Sequence, residues 1–295
     1  MIQVSVIYVN WNCAEEILAS VDSVKRWTSG GLDHEIIVVD NDSRETIEPL
    51  RRPEIKLIRN AYNAGFGAGC NLGAQAARGD FLFFLNPDTR LQNDVLGLLT
   101  NFLRARSEAG AVGPMILEEG GRIHFRAVRN LPSLFNEFLE HTTLTFKFPR
   151  NRLTGRPYYS YWDHQSQREV KALLGAAMFF RRRVFEEIGG FDPRFFLYYE
   201  EVDLCKRTWD AGHKIYYFPQ ARLMHKSKQS TLKLYGHVDK MIYTYFQSAR
   251  KYFHKHFGPA YAALWRITVS SIYFWRGVLK HNPLFLDYAR HVWRL

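Results

Sequence analysis

Apolar positions in the first ninety residues follow two rhythms. Val4 to Val9 is a short run rich in β-branched residues, and Glu35 to Val39, Ile55 to Ile58 and Phe81 to Leu85 resemble it, which predicts four strands. Between these runs the apolar positions open to helical spacing. Ile17, Val21 and Val24 share one face of a helix predicted from Glu15 to Trp27, with acids in its first turn, and Gly69 to Ala77 predicts a second helix. Strands alternating with helices imply a mostly parallel, doubly wound α/β sheet.

From about Arg126 to Arg168 no period holds. Aromatic and basic residues are scattered there among Pro132, Pro149 and Pro157, and little regular structure is expected. Order returns with Ala172 to Phe180, a helix from Arg183 to Ile188, a turn at Gly189 and Gly190, a helix after Glu200 ending near Gly212, and a strand from Lys214 to Phe218. From Leu232 onward the chain is helical in character. It is therefore expected to divide into an α/β domain over 1–231 and a helical tail over 232–295.

Charge adds a constraint on partners. The formal net charge of +11 favours anionic partners, whether nucleic acid, lipid headgroups or phosphorylated substrates. Much of it lies in the tail, where ten lysines and arginines stand against Asp239 and Asp287. Aromatic residues from Tyr243 to Trp293 are interleaved with them, the pattern of a helix lying in an anionic bilayer surface. The same pattern also suits helices packed on the preceding domain with their cations in solvent. No groove-reading or RNA-binding module is recognisable, so no nucleic-acid partner is expected.

Cys13, Cys70 and Cys205 are odd in number and widely spaced, with no zinc pattern, which fits a reduced cytoplasmic setting. The start, MIQVSVIYVNWN, lacks the features of a secretory signal and reads as a first strand. Arg266 and Arg276 interrupt the most apolar part of the tail, so no spanning helix is expected. Any membrane contact should be peripheral, on the inner face of the cell membrane.

In a doubly wound sheet, ligands bind outside the carboxyl ends of the strands. Polar residues follow each apolar run here: Asn10 and Asn12, then Asp40, Asn41 and Asp42, then Asn60 and Asn63, then Asn86 and Asp88. These residue types also build turns. Asp88, in FLFFLNPDTR, is placed either to hold Mg²⁺ or Mn²⁺ against a diphosphate or to close an Asn-Pro-Asp turn. Gly65, Gly67 and Gly69 would let backbone approach a phosphate or base, although they follow the third strand and do not spell a dinucleotide fingerprint.

Glu200, Glu201 and Asp203 stand at a helix start, where the dipole favours carboxylates. Their adjacency, and the flanking Phe195, Phe196, Tyr198 and Tyr199, point beyond the dipole to an apolar pocket that raises a carboxylate pKa. His225, beyond the strand ending near Phe218, reads either as a metal or phosphate ligand or as a polar loop residue.

Taken in order, VIYVNWN, EIIVVDNDS, NAGFGAGCNLGAQAARGDFLFFLNPDT, LLGAAMFFRRRVFEEIGGFDPRFFLYYEEVDLCKR and the AxxMH run ending at His225 resemble the family 2 glycosyltransferases of GT-A fold. The likeness is strongest to their rhamnosyltransferase-like branch and spans about Val4 to Ser230. It implies a GT-A-type, Rossmann-like sheet flanked by helices over 1–231, with the helical tail as a C-terminal extension. It implies Asn10 and Asp40 at the nucleoside, Asn63 and Gly65 near base and ribose, and Asn86 beside the donor. Asp88 would be the metal-binding acid and His225 a second ligand to Mg²⁺ or Mn²⁺. Where the family usually reads Glu-Asp-x-Asp, this chain has Glu200, Glu201, Val202 and Asp203, so the base falls on Glu201, with Glu200 and Asp203 as competing candidates that otherwise orient sugar or acceptor.

The implied reaction is an inverting transfer from a nucleotide-sugar donor to a hydroxyl of a cell-surface polysaccharide or lipid-linked glycan precursor. Rhamnose from dTDP-rhamnose is the first expectation, with other dTDP- or UDP-sugars next. Two other readings stay open. A sugar-phosphate nucleotidyltransferase would carry a glycine-rich, basic signature after the first strand, where this chain has NWNC; a non-catalytic nucleotide-sugar-binding protein at a membrane is suggested by the tail and by Glu201.

Overall fold

A computed structural model describes residues 2–28, 30–226 and 238–295. The first half runs β1 (Val4–Asn10), α1 (Ala14–Trp27), β2 (His34–Asp40), β3 (Ile55–Arg59), α2 (Phe66–Ala76), β4 (Phe81–Leu85), β5 (Thr89–Leu91), α3 (Val95–Arg104) and β6 (Ala109–Leu117). It continues with β7 (Val128–Arg129), α4 (Leu134–His141), α5 (Leu144–Lys147), β8 (Arg168–Glu169), β9 (Ala172–Leu173), β10 (Ala177–Arg181), α6 (Arg182–Glu187), α7 (Glu200–Asp210) and β11 (Lys214–His225). Three helices follow: α8 (Val238–Phe257), α9 (Pro259–Leu279) and α10 (Pro283–Arg294).

Nine strands form one mixed, mostly parallel sheet in the order β3-β2-β1-β4-β10-β6-β11-β5, with β8 added beside β11. β3, β2, β1 and β4 are parallel neighbours, and β10 inserts antiparallel between β4 and β6. Both faces are covered, which is why the strands read as unbroken apolar runs. In β1, Val4, Val6 and Tyr8 pack with Ile17, Val21 and Val24 of α1, while Ile7 and Val9 pack on the other face with Cys70 and Ala74 of α2.

Two expectations need correction. The region 126–168 holds α4, capped by Ser133 accepting from the Asn136 N–H. Its apolar rhythm is hidden because its buried residues include Asn136, Glu137 and His141, while Phe135 and Phe138 are exposed. β11 does not stop at Phe218. Pro219 interrupts the ladder, the register shifts between Phe218 and Arg222, and the strand resumes to His225, which pairs with Thr89 of β5. His225 is thus a strand residue rather than a loop residue.

For the tail, two readings stood open, and helices packed on the preceding domain account for much of it. Phe246, Tyr252, Phe253 and Trp265 are fully buried in a cluster with Phe195, Tyr199 and Val202, so much of its aromatic content is core. The expected boundary at 231/232 and Lys233 lie outside the described residues.

One close approach positions the site. Gly65, with φ of +89° and ψ of 172°, caps α2, and the Phe66 N–H donates to the Phe196 carbonyl at 3.1 Å. A Cβ on Gly65 would collide with that carbonyl. Gly65→Ala is therefore expected to cost about 2–3 kcal/mol, combining backbone strain with displacement of the 191–199 loop. Gly189→Ala, also at positive φ but with open space around it, should cost only about 1 kcal/mol. Thermal unfolding of the two variants checks the difference.

Candidate active site

A cleft of about 260 Å³ opens outside the carboxyl ends of β1, β2 and β4, where an α/β sheet is expected to take its ligand. Asn41, Asn63 and Gly65 form one wall, and Asn86, His225, Glu200 and Glu201 complete its polar lining. The first wall is held rigidly by amides. Asn41 Nδ2 donates to Asn63 Oδ1 (2.9 Å) and to the Gly65 carbonyl (3.1 Å), Asn60 donates to Asn41 Oδ1, and the Gly65 N–H donates to Asn63 Oδ1. Asn10 and Asp40 are buried side by side at the strand ends, Asn10 Nδ2 donating to Asp40 Oδ1 at 2.8 Å and to Ser43 Oγ at 3.0 Å. They are not among the residues lining the cleft. The second Asp40 oxygen accepts no hydrogen bond, and the nearest cation, Arg59 Nε, is 3.9 Å away.

Asp88 and His225 come together from distant parts of the chain because β5 pairs with the end of β11. His225 Nε2 is 3.1 Å from Asp88 Oδ1, an oxygen that is buried and without a properly directed hydrogen bond. Two ligands of an octahedral Mg²⁺ at about 2.1 Å from the ion stand about 3 Å apart, so this spacing fits a shared cation. No third His, Cys, Asp or Glu converges here among the described residues. Remaining positions would fall to diphosphate oxygens and water, the usual supply for a hard divalent ion.

Glu200 and Glu201 open α7, behind Tyr198 and Tyr199, which both have left-handed backbone. Glu200 is buried, with Oε2 lacking a hydrogen-bond partner. Burial pushes its carboxyl well above the ordinary value, and the neighbouring Glu201 charge raises it further. Glu201 is partly exposed to the cleft. Burial raises its carboxyl too, opposed by its own N–H, the Arg129 charge and the Val202 N–H. One carboxyl of the pair is thereby kept protonated more readily than the other. Two thiols lie close by: the buried Cys70 is raised by burial and by Glu200, and Cys205 is pushed up to about 12 by burial, with Glu201 adding to it.

Asp203 does not join them. Its Oδ2 accepts from Arg207 Nε (2.8 Å), and Oδ1 meets Lys255 Nζ (2.5 Å) and His256 Nε2 (2.7 Å). It is fully buried and lines no part of the cleft, so the expectation that it orients sugar or acceptor is replaced by an anchoring position between α7 and α8. Helical spacing alone leaves a residue three positions after Glu200 on nearly the same face, so what withdraws Asp203 is its set of cations, Arg207 one turn on and Lys255 and His256 some fifty residues further along the chain.

Residues 5–189 match the model described as "Glycosyl transferase family 2". The chain belongs to that family. It is 30% identical over 210 residues, 66% of this chain and 67% of the relative, to the N-acetylglucosaminyl-diphospho-decaprenol L-rhamnosyltransferase of Mycobacterium tuberculosis. It is 28% identical to the rhamnosyltransferase WbbL of Escherichia coli, over 55% of this chain and 60% of that one. The GT-A fold is shared with a crystal structure of GalNAc-T7 with UDP, GalNAc and Mn²⁺, at a TM-score of 0.60 and 17% identity, over 84% of this chain and 47% of that one. The family match takes in Asn10 to Asp88, while Glu200, Glu201 and His225 lie beyond residue 189 and enter the site of this glycosyltransferase through the geometry above.

Two participants escaped notice in the sequence, and a third was named without a role. Asn41, one of the polar residues after β2, is the hub of the amide wall. Trp11 and Gly175 also line the cleft, Gly175 facing the Glu201 side chain. Only their positions next to strands gave any signal.

The two acids should respond oppositely to pH. Glu200 is raised on folding, so its contribution to stability is complete below about pH 4.5 and is lost as pH rises through the folded pKa. Asp203 is lowered by its cations against a burial penalty, so its contribution is present above about 3.8 and is lost as pH falls through the folded pKa. Glu200→Gln is expected to raise the thermal midpoint at pH 8 and not at pH 4. Asp203→Asn should lose about 3 kcal/mol at pH 8, the scale of breaking a buried ion pair, with the deficit shrinking toward pH 3. Melting curves across that range check both.

Proposed function

We propose that this family 2 enzyme transfers a sugar, with rhamnose from dTDP-rhamnose as first choice, to a hydroxyl of a lipid-linked or cell-surface glycan precursor, with inversion at the anomeric carbon. The observation that carries the reading is the Glu200–Glu201 pair in the same cleft as His225, whose partner is Asp88. The rhamnosyltransferase relatives support the sugar, and the decaprenol-linked substrate named for one of them supports the acceptor class.

Glu201 takes the proton from the acceptor hydroxyl as that oxygen attacks the anomeric carbon and the bond to the diphosphate breaks. Glu200, kept neutral by burial and by the Glu201 charge, donates a hydrogen bond that orients a sugar or acceptor oxygen. Asn41, Asn63 and Gly65 fix the wall on which the nucleoside rests, and the Asp40 oxygen that accepts no hydrogen bond, behind the cleft lining with Arg59 Nε at 3.9 Å, is the acceptor we assign to its N–H or ribose hydroxyl. Mg²⁺ or Mn²⁺ held by Asp88 and His225 would neutralise charge on the departing diphosphate, a chemistry supported by the Mn²⁺ in the GalNAc-T7 structure. The reaction is assigned to the cytoplasmic side of the cell membrane.

Glu201→Gln keeps the size of the side chain but cannot accept the proton. Transfer should fall by roughly 10²-fold or more, with donor affinity nearly unchanged. The acidic limb of the parent's pH–rate profile should lie above the ordinary carboxylate range and vanish in this variant. If Glu200→Gln abolishes transfer while Glu201→Gln stays active, both folded and binding donor, the base is Glu200. For the donor, a panel of nucleotide sugars with Mn²⁺ should release dTDP fastest from dTDP-rhamnose, and a chelator should stop release; UDP-sugar turnover without any thymidine-nucleotide binding overturns the sugar assignment.

A further inference from the structure

Helix α9 is apolar on two faces. Ala262, Trp265 and Val269 enter the core shared with α8 and α10, and Gly277 packs against Leu286 of α10. On the opposite side Leu264, Ile267, Phe274, Trp275, Val278 and Leu279 are exposed, Trp275 by 59% and Leu279 by 75%. These positions recur at helical intervals of three, four and seven and form one stripe about 22 Å long. Ser271 is the one polar side chain among the exposed residues from Leu264 to Leu279. Trp293 of α10, also exposed, continues the surface across a groove of about 350 Å³ between the two helices.

Cations flank this stripe. α9 contains no acidic residue; of its two cations, Arg266 lies over the Trp293 ring, and Arg276 donates to the His141 carbonyl and lies over Phe285. Lys280, just past α9, and Arg290 and Arg294 of α10 are exposed, Arg290 lining the groove beside Phe274, Trp275 and Trp293. Asp287 is the single acid of α10 and is bonded to Arg290 at 2.8 Å. No described helix is long and apolar enough to cross a membrane.

We propose that the exposed face of α9, with Trp293 of α10, docks in the plane of an anionic bilayer, its apolar side chains at the headgroup–acyl boundary and Lys280, Arg290 and Arg294 against lipid phosphates. An exposed apolar stripe with cations at its rim meets the two requirements of such a surface, burial of apolar area and attraction to negative headgroups. Self-association across the same face would bring its cations together with no free acid to pair them. The docking surface is therefore not the basic aromatic tail as a whole. The aromatic side chains of α8 from Tyr243 to Phe253 pack in or against the core, and the contact belongs to one face of α9 and the adjoining tryptophan. This inference is independent of the sugar and acceptor proposed above.

The test uses the full chain with vesicles of phosphatidylcholine alone or mixed with phosphatidylglycerol, measured by flotation at low and high salt. The parent should bind the anionic vesicles, less strongly at high salt, and its tryptophan emission should shift to the blue and be quenched by shallow brominated lipid. The double variant Phe274→Ser, Trp275→Ser should bind at least about tenfold more weakly, with its thermal midpoint and donor binding unchanged because both residues are exposed. The pair Lys280→Glu, Arg294→Glu should lose about tenfold on anionic vesicles and little on neutral ones. The proposal falls if the parent does not bind, or if the serine variant floats as well as the parent. It falls equally if the parent is a dimer without lipid and the serine variant a monomer, since the face would then belong to a second copy.

Discussion

Two adjacent carboxyl groups resist being buried at one helix start, and the structure depends on the contacts that hold them there. α7 is gripped on both sides of Glu200 and Glu201. Before them, the Tyr199 hydroxyl donates to Glu137 Oε1 and lies 3.2 Å from the Tyr245 hydroxyl, while Ser248 and Lys251 donate to the carbonyls of Leu197 and Arg194. After them, Asp203 is bound by Arg207, Lys255 and His256. Most of these partners come from α8. The C-terminal helices therefore belong to the architecture of the site, and an α/β domain deprived of them would lose the groups that fix the orientation of α7.

The same grip explains why a locally unfavourable conformation persists. Tyr198 and Tyr199 both adopt positive φ, a region that bulky residues avoid. Tyr199 is compensated by burial against Tyr245 and Tyr252 and by its hydrogen bond to Glu137. Glu137 in turn also accepts from Trp265 at 3.0 Å and has His141 Nε2 at 3.3 Å. A carboxylate with that many partners can stay charged in the core, whereas Glu200 has no such set and keeps an unused oxygen. Structural and chemically available acids thus differ in whether their oxygens are satisfied.

Much of this architecture was legible in the sequence where burial was two-sided or periodic. β1, β2, β3 and β4 announced themselves as apolar runs because helices cover both faces of the sheet, and the polar residues after them marked the edge at which the cleft opens. α4 was hidden because its buried side carries Asn136, Glu137 and His141; Asn136 donates to the nearby Leu131 carbonyl, whereas Glu137 and His141 take partners as distant as Trp265 and Tyr273. The end of β11 was hidden by Pro219, a fair stop signal that a bulge absorbs. Asp203 illustrates a deeper limit: its type and spacing suited the site, and only its long-range cations turn it into an anchor. The aromatic tail has the same character, since composition alone does not separate Trp265, in the core, from Trp275, at the surface.

The thiols flanking the two carboxyl groups give the molecule an internal clock. Cys70 sits on α2 and Cys205 on α7, both fully buried and both held in the protonated, unreactive form by their surroundings. Alkylating reagents attack the thiolate, so neither sulfur can react until its helix leaves the sheet and water reaches it. The rate of labelling at each position then measures how often that helix opens in the native protein, α2 beneath the amide wall and α7 beneath the acids. A donor that closes the cleft against both helices would slow the two reactions together, and one that touches only the amide wall would slow Cys70 alone.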